Sequence, residues 1–244
     1  MKPRRRAGVT LMELLIAVSL VSLLSLAILM SIRVGLNAME KTNTTLMANR
    51  RVAGARRVLE HQFAGLMPVV APCRPAPQAA PVNMLFFQGE PEAMRFVSSH
   101  SLQEASRGYP RILEFQVLPG EDNRGVRLVV NELLYTGPFS VGPLCLGLGP
   151  HPGFGVAAPL FLPIQAGPAS FVLADKLAYC RFAYQEVPPP PAPWQWVPLW
   201  VKPELPRAVR IEMAPLEPHP ARLGNTTFVL PLRVNRTPIF GYVD

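Results

Sequence analysis

The sequence has few residues of the kinds that carry catalysis or bind metal ions. Its 244 residues include 3 cysteines and 4 histidines, and only 16% are charged. No two cysteines form a C-x-x-C pair, and no metal-ligand spacing links the histidines, which are His61, His100, His151 and His219. There is no G-x-S-x-G, catalytic Cys–His or Walker signature; the glycine-rich segment GLGPHPGFG (147–155) lacks the Gly-Lys-Ser/Thr ending that phosphate binding needs. We therefore expect no active site, and the chain is predicted not to be an enzyme.

Residues 14–32 contain no charge, proline or glycine, which predicts a membrane-spanning helix. Nineteen helical residues rise roughly 28 Å, close to the thickness of about 30 Å of a bilayer core. The alternative is a cleaved secretory signal, whose apolar core is usually about 7–15 residues long and is followed by a small-x-small site. The segment SIRVGLNAM (31–39) that follows has no convincing site of this kind. The helix is therefore predicted to be retained as a single membrane span.

Positive charge is concentrated before this span. Four of the charges that make up the net +8 belong to Lys2, Arg4, Arg5 and Arg6. Such a basic leader keeps the amino end in the cytoplasm and places the rest of the chain on the other side of the membrane. Without it, Lys+Arg falls from 24 to 20 against 16 acids, which leaves +4. We therefore expect no nucleic-acid partner.

The junction of leader and span has a specific pattern: basic residues, Gly8, one apolar residue, Thr10, two apolar residues, Glu13 and a long apolar run. This pattern resembles the type IV prepilin signal. The resemblance implies that a membrane-embedded aspartyl prepilin peptidase cuts between Gly8 and Val9 and methylates the new amine of Val9. A glycine suits such a cut, because a residue without Cβ adopts an extended backbone with little obstruction. The family's usual first mature residue is Phe, and here it is Val9.

Glu13 would be the fifth residue of the mature chain. A carboxylate at mid-bilayer costs roughly 2.5–3.5 kcal/mol on insertion scales, and less near the first helical turn, where the helix dipole favours negative charge. The resemblance implies a role that offsets this cost, in which Glu13 pairs with the free amine of a neighbouring subunit during assembly. The alternative is a tolerated acid at the membrane interface.

The helical pattern continues beyond the membrane span. Apolar positions recur every three to four residues until Pro68: Leu36, Met39, Thr42 or Asn43, Leu46 or Met47, Ala53, Val58 or Leu59, Phe63 and Leu66. This predicts a cleaved leader (1–8), a transmembrane and assembly helix (9–32), an amphipathic periplasmic continuation (33–67) and a periplasmic β domain (68–244). The polar face of the continuation, with Arg50, Arg51, Arg56 and Arg57, is expected to be solvated or to contact acidic partner subunits.

The segment after Pro68 begins with a proline-rich crossing and then reads as short strands. They are MLFFQ, MRFVSS, RILEFQVL, VRLVVNELLYT, LAYCRFAYQ, RAVRIEMA and FVLPLRV. Residues 119–126 read as a hairpin loop, and residues 142–159 as a long irregular loop. The predicted fold class is α+β and type IV pilin-like, with a long helix whose outer half packs on an antiparallel sheet.

The carboxyl-terminal part carries a second resemblance. LADKLAYCRFAYQE (173–186), the tryptophans of WQWVPLW (194–200) and LPRAVRIEM (205–213) follow one another as in the J-type minor pseudopilin of type II secretion. The resemblance implies I-type and K-type minor subunits, the major pseudopilin, the prepilin peptidase and membrane lipid as partners, with a bacterial inner-membrane location. The alternative is a minor pilin of a type IV pilus or DNA-uptake system.

Three further features leave alternatives open. Cys73, Cys145 and Cys180 allow one disulfide in any of three pairings, or none if all are buried thiols. Glu121, Asp122 and Asn123 group oxygen ligands, but calcium usually needs six or more, so calcium is the alternative to our expectation of no cofactor. VPPPPAP (187–193) would form polyproline II, as a stiff connection or as a partner handle.

Overall fold

The computed structural model describes residues 10–74, 78–104, 107–188, 191–217 and 224–234. The chain divides into two compact units, Met1–Ala48 and Asn49–Asp244. The architecture is α+β, with a long apolar amino-terminal helix and an antiparallel β-sheet domain, as predicted for a type IV pilin-like fold.

The long helix, α1, spans Leu11–Ala64. Gly65 follows it directly, and its N–H donates to the carbonyl of His61 at 3.1 Å, which closes the last turn. The predicted continuation (33–67) reaches three residues beyond the end of α1 at Ala64. Leu66 and Met67 instead form the first strand and pair with Ser98 and Val97.

Thirteen strands are present in the described part of the chain. They are β1 (Leu66–Met67), β2 (Val70–Cys73), β3 (Val82–Leu85), β4 (Gln88–Gly89), β5 (Ala93–His100), β6 (Arg107–Pro119), β7 (Val126–Leu134), β8 (Cys145–Pro150), β9 (Ala157–Phe161), β10 (Phe171–Glu186), β11 (Gln195–Val197), β12 (Ala208–Pro215) and β13 (Thr226–Pro231). One sheet has the order β1-β5-β6-β7-β10-β12-β13, with β4 added on β5 and β11 on β10. Strands β2 and β3 pair separately, as do β8 and β9, and every pairing is antiparallel. A short helix α2 (Pro138–Val141) follows β7.

The predicted strands from MRFVSS onward are confirmed, except that β13 ends at Pro231 within FVLPLRV, and MLFFQ is divided between β3 and β4. The predicted hairpin loop at 119–126 is also confirmed, since Gly120 N–H donates to the Gly125 carbonyl at 2.9 Å between β6 and β7. The interpretation of 142–159 as an irregular loop is wrong, because β8 and β9 form a hairpin there. Its glycines and prolines resemble a loop in composition, although the backbone of the hairpin is extended.

One face of the large sheet buries the carboxyl-terminal part of α1. Leu59 and Phe63 lie in a core with Met94, Phe96 and Phe115, and the Phe63 and Phe96 rings are 4.9 Å apart. Leu59, Phe63 and Leu66 of the predicted stripe are therefore confirmed as core residues. Ala53 is exposed and Ala55 is buried instead, while the predicted stripe members in the first unit are exposed: Leu36, Met39, Leu46 and Met47.

Over β5 and β6, a second and smaller core covers the opposite face of the large sheet. Val97 and Ile112 project from the sheet into it, where they meet Phe86 and Val141. A disulfide between Cys73 on β2 and Cys145 on β8, with 5.5 Å between their Cα atoms, links the β2–β3 and β8–β9 pairs beside this core. The sheet is therefore buried on both faces near β5 and β6.

Candidate assembly and anchoring segment

The amino end of α1 is capped by Thr10. Its hydroxyl oxygen lies 3.3 Å from the backbone nitrogen of Glu13, and its carbonyl accepts from the same N–H at 3.0 Å. Thr10 is the N-cap and Glu13 the third helical residue, which is the T-x-x-E spacing of a capping box. This role of Thr10 was missing from the sequence interpretation, although the spacing signals it.

The carboxylate of Glu13 lies in the first turn of α1 and is exposed. Within the described residues, the structure gives it no hydrogen bond or ion pair, since the capping contact uses the backbone of Glu13. The positive end of the helix dipole favours a negative charge at this position. The side chain therefore lies exposed at the start of the helix, and no other described residue binds its oxygens.

Glu13 lies near the start of a helical stretch that is long and apolar enough to cross a membrane. This stretch is Leu11–Asn43. Its most apolar window has a mean hydropathy of 2.6, and none of that window is buried in the structure. Three of its serines are compatible with lipid because their hydroxyls donate to carbonyls of the same helix: Ser19 to Ile16, Ser22 to Ser19 and Ser25 to Val21, at 2.8–2.9 Å. Satisfied hydroxyls lower the cost of burying these polar groups in hydrocarbon.

Gly8 and Val9 lie outside the described residues, so the predicted cleavage and methylation positions remain sequence predictions. Comparison with protein families is informative at this same end of the chain. Residues 3–29 match the prokaryotic N-terminal methylation motif. This match includes Gly8, Val9, Thr10 and Glu13 together with most of the apolar span, as far as residue 29. A search of curated proteins found no match.

The methylation motif is followed in α1 by the predicted arginine-rich face. Arg50, Arg56 and Arg57 are exposed, and the side chain of Arg51 lies outside the described set. Arg56 Nε donates to Glu60 Oε1 at 2.7 Å, one helical turn away, and its guanidinium lies 5.7 Å from the centre of the Phe228 ring. Arg56 is therefore exposed to solvent and also contacts other residues of the domain.

The structure shows which of the three cysteines are bonded to each other. Cys73 and Cys145 form the disulfide, and Cys180 is a free thiol buried on β10. Burial raises the pKa of the Cys180 thiol to about 12, with a further contribution from the charge of Glu92. The thiol is therefore protonated and unreactive at neutral pH.

The described residues contain no cluster of metal ligands, because no three His, Cys, Asp or Glu side chains converge among them. Glu121, Asp122 and Asn123 form a short turn between β6 and β7, in which Asp122 and Asn123 have φ near +55°. The ring centres of His61 and His100 are 6.2 Å apart, and His151 lies 3.8 Å from Glu90. His219 and Pro189–Pro190 of the proline segment lie outside the described residues.

Proposed function

We propose that this chain is a non-enzymatic minor pseudopilin of the J type, a structural subunit at the tip of a type II secretion pseudopilus. It would be cut between Gly8 and Val9 by the prepilin peptidase and held in the bacterial inner membrane by α1, with its β domain in the periplasm. Its partners would be the I-type and K-type minor subunits and the major pseudopilin. The proposal includes no cofactor.

The observation that carries this proposal is the methylation motif at residues 3–29, which runs directly into a helix able to cross a membrane. A signal that is only a secretory leader needs neither an acid in the apolar segment nor a helix that continues into a folded domain. Glu13 supports assembly in particular, because the helix dipole lowers the cost of a carboxylate in an apolar segment only in part, and a partner would offset the rest. The free amine left on Val9 by cleavage of a neighbouring subunit would supply that partner.

The order of elements in the β domain supports the subtype. The three segments that resemble the J-type tail form β10, β11 and the start of β12, and both β11 and β12 pair with β10. Trp200, in the turn after β11, is buried, and its indole N–H donates to the Glu204 carbonyl at 2.6 Å. A minor pilin of a type IV pilus or DNA-uptake system is the second candidate, since it would have the same amino-terminal signal. The genes beside this one distinguish the two, through a secretin with a set of pseudopilins or a retraction ATPase with pilus proteins.

Replacement of Glu13 tests the assembly role directly. Glu13→Ala should reduce co-purification of the other pseudopilins with the full chain from membranes, because the amine of the neighbouring subunit loses its counter-ion. Glu40→Ala is the matched control, since Glu40 is an exposed acid on the same helix. Unchanged co-purification for Glu13→Ala, with equal amounts of both variants in the membrane, would rule out the proposed role.

A further inference from the structure

On the face opposite α1, the large sheet has a region that no other described residues cover, formed by β10, β11, β12 and β13. Side chains alternate between faces along a strand, and Phe182, Ile211 and Phe228 are buried in the core with α1. The residues that alternate with them therefore project from the other face. We call these residues the basic aromatic face: Tyr179, Arg181, Trp196, Arg210, Val229 and the adjoining Trp194.

Two arginines of this face lie over aromatic rings. The Arg210 guanidinium is 4.8 Å from the centre of the Trp196 ring, and the Arg181 guanidinium is 5.8 Å from that of Tyr179. Such cation–π contacts hold long side chains in fixed positions on an exposed surface. Less side-chain entropy is then lost when a partner binds these arginines.

The charge around the face is positive. Arg181 lies on it, while Arg207 and Arg233 are exposed where β12 begins and just after β13. None of the three has a carboxylate partner within the described residues. Glu212 is the acid that the register places next to Arg181, and its Oε1 lies 2.9 Å from Arg210 Nε. An approaching surface therefore meets several arginines whose charge no carboxylate of the described residues neutralises.

Large exposed side chains complete the face. Trp194 is 59% exposed and packs edge-on against Trp196, with 6.4 Å between the ring centres. Val229 on the edge strand β13 is 53% exposed. Tryptophan, tyrosine and arginine are the residues enriched at the energetic centres of protein interfaces. This composition indicates a protein-binding surface.

We propose that the basic aromatic face docks on a carboxylate-rich surface of another subunit of the same assembly. The identity of that partner as a subunit rests on the function proposed above, whereas the acidic chemistry follows from the unneutralised arginines. A nucleic acid fits less well, because bases stack on open aromatic faces and arginines already lie over the rings of Tyr179 and Trp196. Opposite charge across the interface would set the orientation of the two subunits.

A photo-cross-linking amino acid at Val229 of the full chain, expressed in membranes with its assembly partners, tests the proposal. Mass spectrometry should identify cross-linked peptides of another subunit that are rich in Asp and Glu. Arg181→Glu and Arg233→Glu should each lower the cross-linked yield, roughly tenfold, because like charges then face each other. Exchange of the contacted carboxylate for arginine in the partner should restore the yield, which also shows that the variants fold. Arg124→Glu is the matched control, since Arg124 is exposed at the β6–β7 turn, and it should leave the yield unchanged.

A second cross-linker at Leu15, on α1, separates this proposal from the proposed function. A chain that is cross-linked to another subunit through Leu15 but not through Val229 overturns the docking proposal alone. Cross-links from Val229 only to nucleic acid or to a second copy of this chain overturn it too, as does a yield that Arg181→Glu leaves unchanged. If Leu15 gives no cross-links while Val229 still captures an acidic partner, the proposed function is overturned. The proposal that this face binds a carboxylate-rich surface then still stands.

Discussion

Arg95 on β5 and Glu114 on β6 form a buried ion pair between adjacent strands, with 2.8 Å from Arg95 Nε to Glu114 Oε1. The guanidinium also donates to Gln88 Oε1 at 2.8 Å and to the Leu162 carbonyl at 2.9 Å. The arginine side chain is 1% exposed. Burial lowers the pKa of Arg95, and the charge and hydrogen bond of Glu114 act in the opposite direction. The pair thus ties the sheet to the segment that follows the β8–β9 hairpin.

Removal of one partner of this ion pair should be strongly destabilising. Arg95→Met leaves the Glu114 carboxylate without its counter-charge, and we expect the free energy of unfolding to fall by about 3–5 kcal/mol. The double variant Arg95→Met/Glu114→Leu should lose less, because it leaves no unpaired charge in the interior. Urea unfolding of the detergent-solubilised full chain measures both. A double variant that loses as much as the sum of the two single variants would contradict the coupling.

The disulfide and the buried thiol predict how many cysteines a thiol-reactive label can modify in each state of the chain. Without reductant, the native chain should incorporate no thiol label, because Cys73 and Cys145 are linked and Cys180 is buried with a raised pKa. The unfolded chain should incorporate one label, and the unfolded and reduced chain should incorporate three. The mass of the intact chain gives the number of labels. Two or more labels in the unfolded, unreduced chain would refute the pairing. Cys73→Ala/Cys145→Ala should lower the free energy of unfolding by about 2–5 kcal/mol.

His100 should make stability depend on pH. Burial lowers its pKa below the ordinary value of 6.5, and the nearby charges of Arg107 and His61 act in the same direction. The unfolded state therefore binds the proton more readily, so stability should fall as pH decreases through about 6.5 towards the folded-state pKa and then level off. His100→Gln should flatten this part of the profile, measured by urea unfolding between about pH 8 and pH 5. An unchanged slope in the variant would show that other groups cause the dependence.

Gly65, just after α1, and Gly54, inside α1, should respond oppositely to replacement by alanine. A Cβ on Gly65 would collide with His100 Nδ1 and lie 2.8 Å from Ser98 Oγ, so Gly65→Ala should cost about 1–3 kcal/mol. Gly54 has no atom within 4 Å of such a Cβ and lies inside the helix, so Gly54→Ala should raise stability by about 0.5–1 kcal/mol. Thermal unfolding of the two variants side by side tests this. Equal effects of the same sign would contradict the packing described for Gly65.

Local pattern predicted the elements whose causes are local. The apolar run predicted the first part of α1, and alternation predicted β5, β6, β7 and β10. Pro68 suggested a helix that continues to residue 67, but α1 ends at Ala64, and the next residue, Gly65, approaches His100 closely, which depends on the fold.

Features set by distant segments could not be predicted in this way. Arg95 alternates as an outward residue of β5, but it is buried, and one of its hydrogen-bond partners is a carbonyl 67 positions later in the chain. The pairing of Cys73 with Cys145 needs the β8–β9 hairpin, which composition suggested was a loop. At the amino end, the pattern indicated the importance of Glu13, while the cap by Thr10 was visible in the T-x-x-E spacing and was missed.

The mass of the mature protein isolated from membranes tests the central claim most directly. The account predicts a chain that begins at Val9, has lost residues 1–8 and retains the whole of α1, with or without one added methyl group. An intact leader, or a new amino terminus beyond Ile32, would contradict it.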